Sequence, residues 1–293
     1  MPDEQGFEAY RPLMLSIAYR MLGSMTEAED IVQEAYIRYQ GAAPEQIWSH
    51  KAYLSTIVTR LCLNQLQSAR SRRETYIGPW LPEPVLTQPD DRLDPAREAE
   101  RAESISIAFL TLLEELTPVE RAVFLLREVF DFDYSEVAEI VGKEEAACRQ
   151  MASRAKKHIA AHRARFKADP DLHRRMLDRF VAAVSTGDLD GLMALLAEDV
   201  TMWTDGGGKA RGAATQPLHG REAVAKFIAS SSRQPGSGSL KPELSEVNGE
   251  PALIVRQDGQ PRLVMTFVAD GDHIGEVRVI GNPDKLNHVK RQE

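Results

Sequence analysis

The stretch that decides the fold of the middle of the chain runs from residue 134 to residue 157 and reads YSEVAEIVGKEEAACRQMASRAKK. Its spacing predicts a short helix from Tyr134 to Val141, a turn at Gly142 and a longer helix that begins at Glu144. A short helix, a turn that contains glycine and a second, basic helix are typical of a helix-turn-helix. The sequence therefore predicts a DNA-reading module here.

The second helix has two different faces when its residues are plotted at 100° per residue. One face is apolar and is predicted to pack: Cys148, Met151, Ala152, Ala155 and Ile159. The other is mostly polar: Ala146, Arg149, Gln150, Ser153 and Lys157. Arginine and glutamine can contact guanine and adenine edges, and serine and lysine can reach phosphates. The alternative is a solvated basic helix, but the short helix and glycine turn before it favour DNA.

The charge of the chain is unevenly distributed. It carries 36 Lys and Arg against 44 Asp and Glu, a formal net charge of −8. This sign is wrong for a protein that binds nucleic acid unaided, because phosphate neutralisation drives such binding. From Ala146 to Ala168, however, there are seven basic residues and no acidic one. We therefore expect DNA contact that depends on a second binder.

Length and composition limit the remaining classes. The 293 residues suggest about two domains, or three small ones, and 43% hydrophobic residues are enough for buried cores. No apolar run approaches the roughly 20 residues of a membrane helix, and the first residues are acidic, unlike a secretion signal. Cys62 and Cys148 form no CxxC pair, which argues against a disulfide scaffold. We expect a soluble, cytoplasmic protein of several domains.

The first seventy residues are predicted to form three helices. The first carries apolar residues from Phe7 to Met21 at helical spacing and ends at Gly23. The second is predicted to open on a capping box at Thr26–Glu29. It carries an isoleucine, Ile37, on an otherwise acidic and polar face, which makes a protein partner plausible. The third is predicted from about residue 50 to residue 73.

Residues 71–100 have the composition of a linker, with five prolines and clustered acids. Within them, Trp80 and Leu81 stand side by side. In a free linker these two large apolar side chains would be left in water. We expect this piece to dock on a folded surface.

The last part of the chain is predicted to be an α+β domain that can enclose a pocket. Helices are expected at residues 172–184, 189–196 and 221–229. Asn-Gly and Asp-Gly pairs at residues 248, 258 and 270 are typical of tight hairpins. They predict a four-stranded antiparallel meander with strands at residues 240–247, 252–256, 262–269 and 273–280.

Several segments resemble a known family. Ala28–Arg38 resembles the polymerase-docking helix in region two of bacterial sigma factors of the extracytoplasmic-function group. Leu116–Arg127 and Tyr134–Gly142 resemble region four of the same factors. The two matches cover about residues 8–73 and 102–160, in the right order. The resemblance implies RNA polymerase as the second binder that the charge requires.

Three further motifs resemble those of the subgroup that carries a fused SnoaL-like C-terminal domain. They are Trp80-Leu81-Pro82-Glu83-Pro84, Asp205-Gly206-Gly207-Gly208-Lys209 and Asn282-Pro283-Asp284-Lys285-Leu286. The implied architecture is two all-α sigma domains followed by an α+β cone. Its parts are region two at residues 1–73, a linker at 74–101, the region-four helix-turn-helix at 102–168 and the SnoaL-like domain at 169–293.

The resemblance also assigns roles to individual residues. Contact with the clamp helices of the polymerase β′ subunit is assigned to Asp30, Gln33, Glu34 and Ile37. The minus-ten promoter element is assigned to the outward face of the third helix, at Arg60, Asn64, Gln67 and Arg70. The minus-thirty-five element is assigned to Arg149, Gln150, Ser153, Arg154 and Lys157. The loop near residues 42–48 matches the family poorly and stays unassigned.

The implied partners are core RNA polymerase, through the β′ clamp helices and the β flap, and promoter DNA. The fused domain, with its three motifs, is implied to regulate the factor in place of a separate anti-sigma protein. No cofactor and no membrane partner are predicted, and a small ligand in the C-terminal pocket is left open.

Two other functions compete with this one. The first is a bifunctional protein whose pocket converts a small substrate, with Asp205, His219, Asp270 or His273 as general base. The second is a stand-alone helix-turn-helix repressor. A phosphate-binding loop at Asp205–Lys209 fails because the required glycine and serine or threonine are absent. The pair His158 and His162 lacks a third ligand for zinc.

Overall fold

The computed structural model describes residues 4–42, 47, 49–73, 75–87, 104–163, 170–232 and 240–290. It divides into two compact units. The first comprises Met1–Thr75 and Leu110–Ala161, and the second comprises Tyr76–Phe109 and His162–Glu293. The described part of the predicted linker from Tyr76 to Thr87 therefore groups with the C-terminal domain.

Three helices form the N-terminal part of the first unit: α1 (Glu4–Leu22), α2 (Met25–Gln40) and α3 (His50–Arg73). The predicted cap at Thr26 is wrong, because α2 begins at Met25, two residues earlier than a cap at Thr26 implies. Its N-cap is Ser24, whose side chain accepts a hydrogen bond from the Glu27 backbone N–H at 3.2 Å. A serine with a glutamate three residues later has the same pattern, so the signature was present two residues upstream.

The helix-turn-helix part follows α4 (Ile107–Leu113) and consists of α5 (Pro118–Phe124), a π-helical turn, α6 (Tyr134–Val141) and α7 (Glu145–Arg163). Thr117 and Glu120 form a capping box at the start of α5. Gly142 ends α6 with φ of 66°, a left-handed conformation that costs glycine little. The predicted helix–turn–helix is confirmed.

A buried arginine joins the two parts of the first unit. Arg121, which is 3% exposed, donates to the Met21 carbonyl oxygen at 2.6 Å and to Glu114 at 2.7 Å. Burial lowers its pKa to about 10, so it stays charged at neutral pH. In addition, the Lys51 ammonium lies 4.3 Å from the centre of the Phe132 ring.

The second unit contains α8 (Pro170–Thr186), α9 (Leu189–Leu195) and α10 (Arg221–Ser232). Its six strands are β1 (Leu196–Asp205), β2 (Leu218–His219), β3 (Leu240–Val247), β4 (Glu250–Gln257), β5 (Gln260–Asp270) and β6 (His273–Ile280). They form one sheet in the order β2-β1-β6-β5-β4-β3. The predicted meander is confirmed as β3–β6.

The meander is part of a larger mixed sheet, because β1 pairs with β6 in parallel and β2 pairs with β1, and these two strands were not predicted. The exposed acids Glu198 and Asp199 interrupt the apolar pattern of β1, where the pairing register shifts between Leu196 and Thr201. Such an irregularity hides the alternation by which a strand is recognised in a sequence.

The sheet separates two cores. On one face, α8, α9 and α10 pack over the larger core, in which Phe180 and Phe267 lie 4.8 Å apart. The smaller core contains Leu81 from the segment before α4, Ile107 at the start of α4 and Leu286 from the segment after β6. The segments before α4 and after β6 are thus built into the C-terminal domain. Within the described part of the chain, no helix has the length and apolar character to span a membrane.

Candidate functional site

Asp205 lies at the centre of the site where the three motifs meet. It ends β1, and its side chain is fully buried. One carboxylate oxygen accepts a hydrogen bond from the Leu81 backbone N–H at 2.8 Å and pairs with the Lys285 ammonium at 2.7 Å. The other oxygen accepts from the Tyr76 hydroxyl. We call these contacts the linker dock, because they fix residues 76–87 to the C-terminal domain.

The Lys285 ammonium makes two further contacts within the same dock. Its ammonium also donates to the Leu81 carbonyl oxygen and lies 4.0 Å from the centre of the Trp80 ring. Burial and the hydrogen bond to the Asp205 carboxylate raise the pKa of Tyr76, so the phenol stays protonated as a donor. The buried carboxylate is thus matched by one cation and two further donors.

Two glycines of the second motif are explained by close neighbours in the third motif and in the docked linker. A Cβ at Gly207 would lie 2.3 Å from the Asn282 amide nitrogen, and one at Gly208 would lie 2.8 Å from the Ile77 side chain. Both glycines have positive φ, 55° and 72°. Asn282 in turn donates to the Tyr76 hydroxyl at 2.8 Å. Only glycine allows this close approach without strain.

The rest of the linker pairs with the hairpin that joins β3 and β4. The Val85 backbone N–H donates to the Asn248 side chain at 2.9 Å, and the Asn248 backbone N–H donates to the Val85 carbonyl at 2.9 Å. The Asn248 amide also donates to the Ile105 carbonyl at 2.7 Å. Earlier in the segment, Glu83 is 2% exposed and lies 2.6 Å from Nδ1 of His288.

All five residues of the first motif lie in this docked segment, and Leu81, Pro82, Glu83 and Pro84 are buried. The prediction that Trp80 and Leu81 dock on a folded surface is confirmed. Sequence reasoning missed Tyr76, Asn248 and His288. The Asn-Gly pair at residue 248 predicts a turn, but nothing in the sequence indicates that the Asn248 side chain bonds to Val85, 163 residues away.

A second pair joins the same two motifs at the surface. Lys209 pairs with Asp284, and the two side chains are 55% and 61% exposed. By comparison, the side chains of Lys285 and Asp205 are 11% and 0% exposed. The motifs therefore contribute one buried and one solvated lysine–aspartate pair.

A cavity of about 760 Å³ lies between the sheet and the helices α8 and α10. Its wall is mostly apolar and includes Phe180, Phe227 and Met265. The polar groups on it include Asp205, Arg211 and Arg262. Of the four residues considered as general bases, Asp205 is engaged in the dock, and the other three are not among the lining residues. His219 contacts Thr201 at 3.2 Å, and Asp270 and His273 flank the turn between β5 and β6.

The polymerase candidates lie together on the exposed face of α2. Asp30, Gln33 and Glu34 are exposed, and Ile37 is 57% exposed. The opposite face is buried, with Ala28, Ile31, Val32, Ala35 and Tyr39 in the core. Glu34 pairs with Arg38 at 3.0 Å.

The minus-thirty-five candidates lie on the exposed face of α7. Four of them border one surface depression: Arg149, Gln150, Ser153 and Arg154. Lys157 is exposed one turn further along. Arg149 pairs with Glu145 and lies 4.4 Å from the centre of the Tyr134 ring, while Arg154 pairs with Glu120 at 3.3 Å. On the predicted packing face, Cys148, Ala152, Ala155 and Ile159 are buried and Met151 is half-buried.

The minus-ten candidates on α3 differ from one another in their surroundings. Asn64 and Gln67 are exposed, and the Arg70 side chain lies outside the described residues. Arg60 donates to the Ile140 carbonyl at 3.2 Å and the Glu139 carbonyl at 3.1 Å. These carbonyls belong to the end of α6, where a cation is favoured. Most of the unassigned loop at residues 42–48 also lies outside the described residues.

The structure describes only one side chain of the histidine pair that was considered for zinc. His158 lies 2.7 Å from Glu115, and the His162 side chain falls outside the described residues. Across the described part of the chain, no group of three or more His, Cys, Asp or Glu side chains could hold a metal ion.

Comparison with protein families matches three parts of the chain. Residues 7–72 match sigma-70 region 2, residues 106–159 match sigma-70 region 4, and residues 177–273 match a SnoaL-like domain. The order is the one predicted from the sequence.

Individual relatives agree with these matches. The chain is 41% identical to the ECF RNA polymerase sigma factor SigJ of Mycobacterium tuberculosis, over 96% of this chain and 92% of the relative. It is 34% identical to the probable ECF sigma factor SigI of the same species, over 67% of each. The crystal structure of M. tuberculosis SigJ is similar with a TM-score of 0.75 and 35% identity, over 98% of this chain and 99% of that one.

Proposed function

The chain belongs to the extracytoplasmic-function sigma factors of RNA polymerase, and we propose that its C-terminal domain restrains it in cis through the linker dock. As a sigma factor it directs transcription initiation by RNA polymerase. The proposal concerns which of its surfaces meet polymerase and promoter, and how the attached domain limits their use.

We assign the exposed face of α2 to the β′ clamp helices. Ile37 supports this assignment, because a side chain 57% exposed among acids gains free energy only when a partner covers it. We assign the exposed face of α7 to the minus-thirty-five element, since Arg149 and Gln150 are exposed next to Ser153 and Lys157. Contact with the β flap is carried over from the family alone.

The packing of the first unit supports restraint. The two promoter elements lie about 25 base pairs apart, a distance of about 85 Å along B-DNA. A compact unit of this size has a radius of gyration of about 14 Å. Hydrogen bonds from Arg121 to Met21 and from Arg60 to the end of α6 keep the two sigma regions together in this unit. While these bonds are formed, the two regions cannot reach both promoter elements. Promoter binding therefore requires these contacts to open.

The linker dock carries the proposal, because it limits this opening. Region two ends at Arg73, and the dock begins three residues later at Tyr76. On the other side, Ile105 and Ile107, at the start of region four, are still bound to the C-terminal domain. A docked linker thus leaves both sigma regions on short tethers. Its release lengthens the tethers and shifts the population towards the open form.

We further propose that the C-terminal domain binds without catalysis. Asp205 is the carboxylate that lines the cavity among the described residues, and its oxygens already carry three partners. A general base needs a free lone pair within reach of the substrate.

Single-round transcription with purified core polymerase tests the restraint. Lys285→Met removes the cation of the dock, and Lys209→Met, in the exposed pair, is the matched control. We expect several-fold more transcript from Lys285→Met than from the intact chain and no change from Lys209→Met. Equal or lower output from Lys285→Met would contradict cis restraint.

A further inference from the structure

The cavity of the C-terminal domain carries unmatched positive charge. Its apolar wall is formed by residues such as Phe180, Phe227 and Leu253, and it also contains Arg211 and Arg262. Both arginines are exposed, and among the described residues neither guanidinium group has an ion-pair or hydrogen-bond partner. The carboxylate that could balance them, Asp205, is already matched by Lys285.

We propose that this cavity binds an amphipathic anion, an apolar body with a single carboxylate, and that its occupancy strengthens the linker dock. The second clause rests on the proposed cis restraint. An apolar body gains free energy from leaving water in a cavity of about 760 Å³. The carboxylate of the ligand can accept two parallel hydrogen bonds from a planar guanidinium group of these arginines.

The wall of the cavity and the linker dock share residues. Asp205 and Gly281 line the cavity, and the Asp205 carbonyl oxygen accepts hydrogen bonds from the backbone N–H groups of Gly281 at 2.8 Å and Asn282 at 2.9 Å. The same Asp205 holds Leu81 through its side chain. Ala210, also in the wall, donates its N–H to the Gly206 carbonyl at 3.0 Å.

The direction of the coupling follows from this sharing. A ligand finds the complete wall only when Asp205, Gly281 and the loop before Arg211 hold the positions that they have with the linker docked. It therefore binds the docked state more tightly and shifts the population towards it. The bound ligand strengthens the restraint, and its loss relieves it.

The first test uses two fluorescent probes that share one apolar body. The anionic probe is 8-anilino-1-naphthalenesulfonate, and N-phenyl-1-naphthylamine lacks its charged group. We expect the intact chain to bind the anion about tenfold more tightly, as one charge-assisted contact in a partly solvated site predicts. Decanoate and 1-naphthylacetate should displace it, whereas decanol should not, and the better of the two acids identifies an acyl or an aromatic body.

Matched arginine variants locate the binding. Arg262→Met and Arg211→Met should each weaken binding of the anionic probe several-fold and leave the neutral probe unchanged. Arg174→Met replaces an exposed arginine on α8 that does not line the cavity, and it should change neither. Equal affinity for both probes, or equal loss in all three variants, would overturn the ligand class.

Hydrogen exchange tests the coupling in the full chain. With saturating decanoate, the Leu81 and Val85 amides should exchange at least threefold more slowly, and in Arg262→Met the effect should need a correspondingly higher concentration. Binding without slower exchange would overturn the coupling. Because these readouts use no polymerase, their failure is distinct from failure of the restraint, which the transcription of Lys285→Met reports.

Discussion

The faces of α2 and α7 and the linker dock use the same kinds of side chain in opposite surroundings. On α2 and α7 the assigned residues are exposed, and Ile37 is 57% exposed. In the dock, Asp205 has no exposed side-chain surface and Lys285 keeps 11%. Substitution of a residue on an exposed face weakens binding to a partner. Substitution of a residue in the dock weakens the packing of the C-terminal domain itself. Function and stability should therefore separate on the helices and coincide in the dock.

The largest expected effect is on the dock. Lys285→Met leaves the Asp205 carboxylate buried without its cation, and breaking a buried pair in this way costs about 3–5 kcal/mol. We expect the free energy of unfolding of the C-terminal domain to fall by this amount in denaturant titration. The Leu81 amide should also exchange faster with solvent. A loss below about 1 kcal/mol would show that Asp205 does not depend on this cation.

The next effect concerns the exposed face of α2. Ile37→Asp should raise the Kd for core polymerase by about 10- to 100-fold, because burial of an isoleucine contributes about 1.5–3 kcal/mol. The melting temperature should not change, which is the opposite of the dock. Titration of labelled polymerase measures the affinity, and Gln40→Ala, an exposed residue of the same helix, is the control. Unchanged affinity would refute the assignment of this face.

A similar or slightly smaller effect is expected on α7. Arg149→Ala and Gln150→Ala should each change which minus-thirty-five sequence is used, by about 1–3 kcal/mol per lost base contact. Lys157→Ala, a phosphate candidate, should weaken all promoters alike. A run-off transcription panel over minus-thirty-five variants separates the two patterns. Promoter choice that is identical in the wild-type and Gln150→Ala proteins would contradict base reading by this face.

The smallest effect is expected at the exposed pair. Lys209→Met removes a contact between side chains that are 55% and 61% exposed, and such pairs contribute between 0 and about 1 kcal/mol. Denaturant titration should show a loss in this range, well below that of Lys285→Met. A loss as large as that of Lys285→Met would show that burial does not distinguish the two pairs.

The same contrast decides what the sequence could predict. The faces of α2 and α7 follow from helical periodicity alone, because a packed face and an exposed face alternate within one element. The hairpins were predicted for the same reason, since an Asn-Gly or Asp-Gly pair determines its turn locally. The roles of these residues came from the resemblance to the family and not from their spacing.

The dock could not be predicted in the same way. Leu81 and Asp205 are 124 residues apart, and Tyr76 and Asn282 are 206 apart, so no local pattern links them. The three motifs were recognised, but their convergence depends on β1, whose alternation is broken at Glu198 and Asp199. The hydrogen bonds of Arg60 to α6 likewise depend on the packing of two regions that are about 80 residues apart.

The most direct test of the account is the distance between the two sigma regions. Spin labels on Gln40→Cys and Lys143→Cys mark region two and region four at exposed positions, and the native Cys62 and Cys148 are buried. Pulsed electron paramagnetic resonance should give a short distance between the two labels in the free chain. In the polymerase–promoter complex this distance should be longer by tens of ångströms. A long distance already in the free chain, or the same distance in both states, would contradict the claim that the docked chain holds its two promoter-reading regions together.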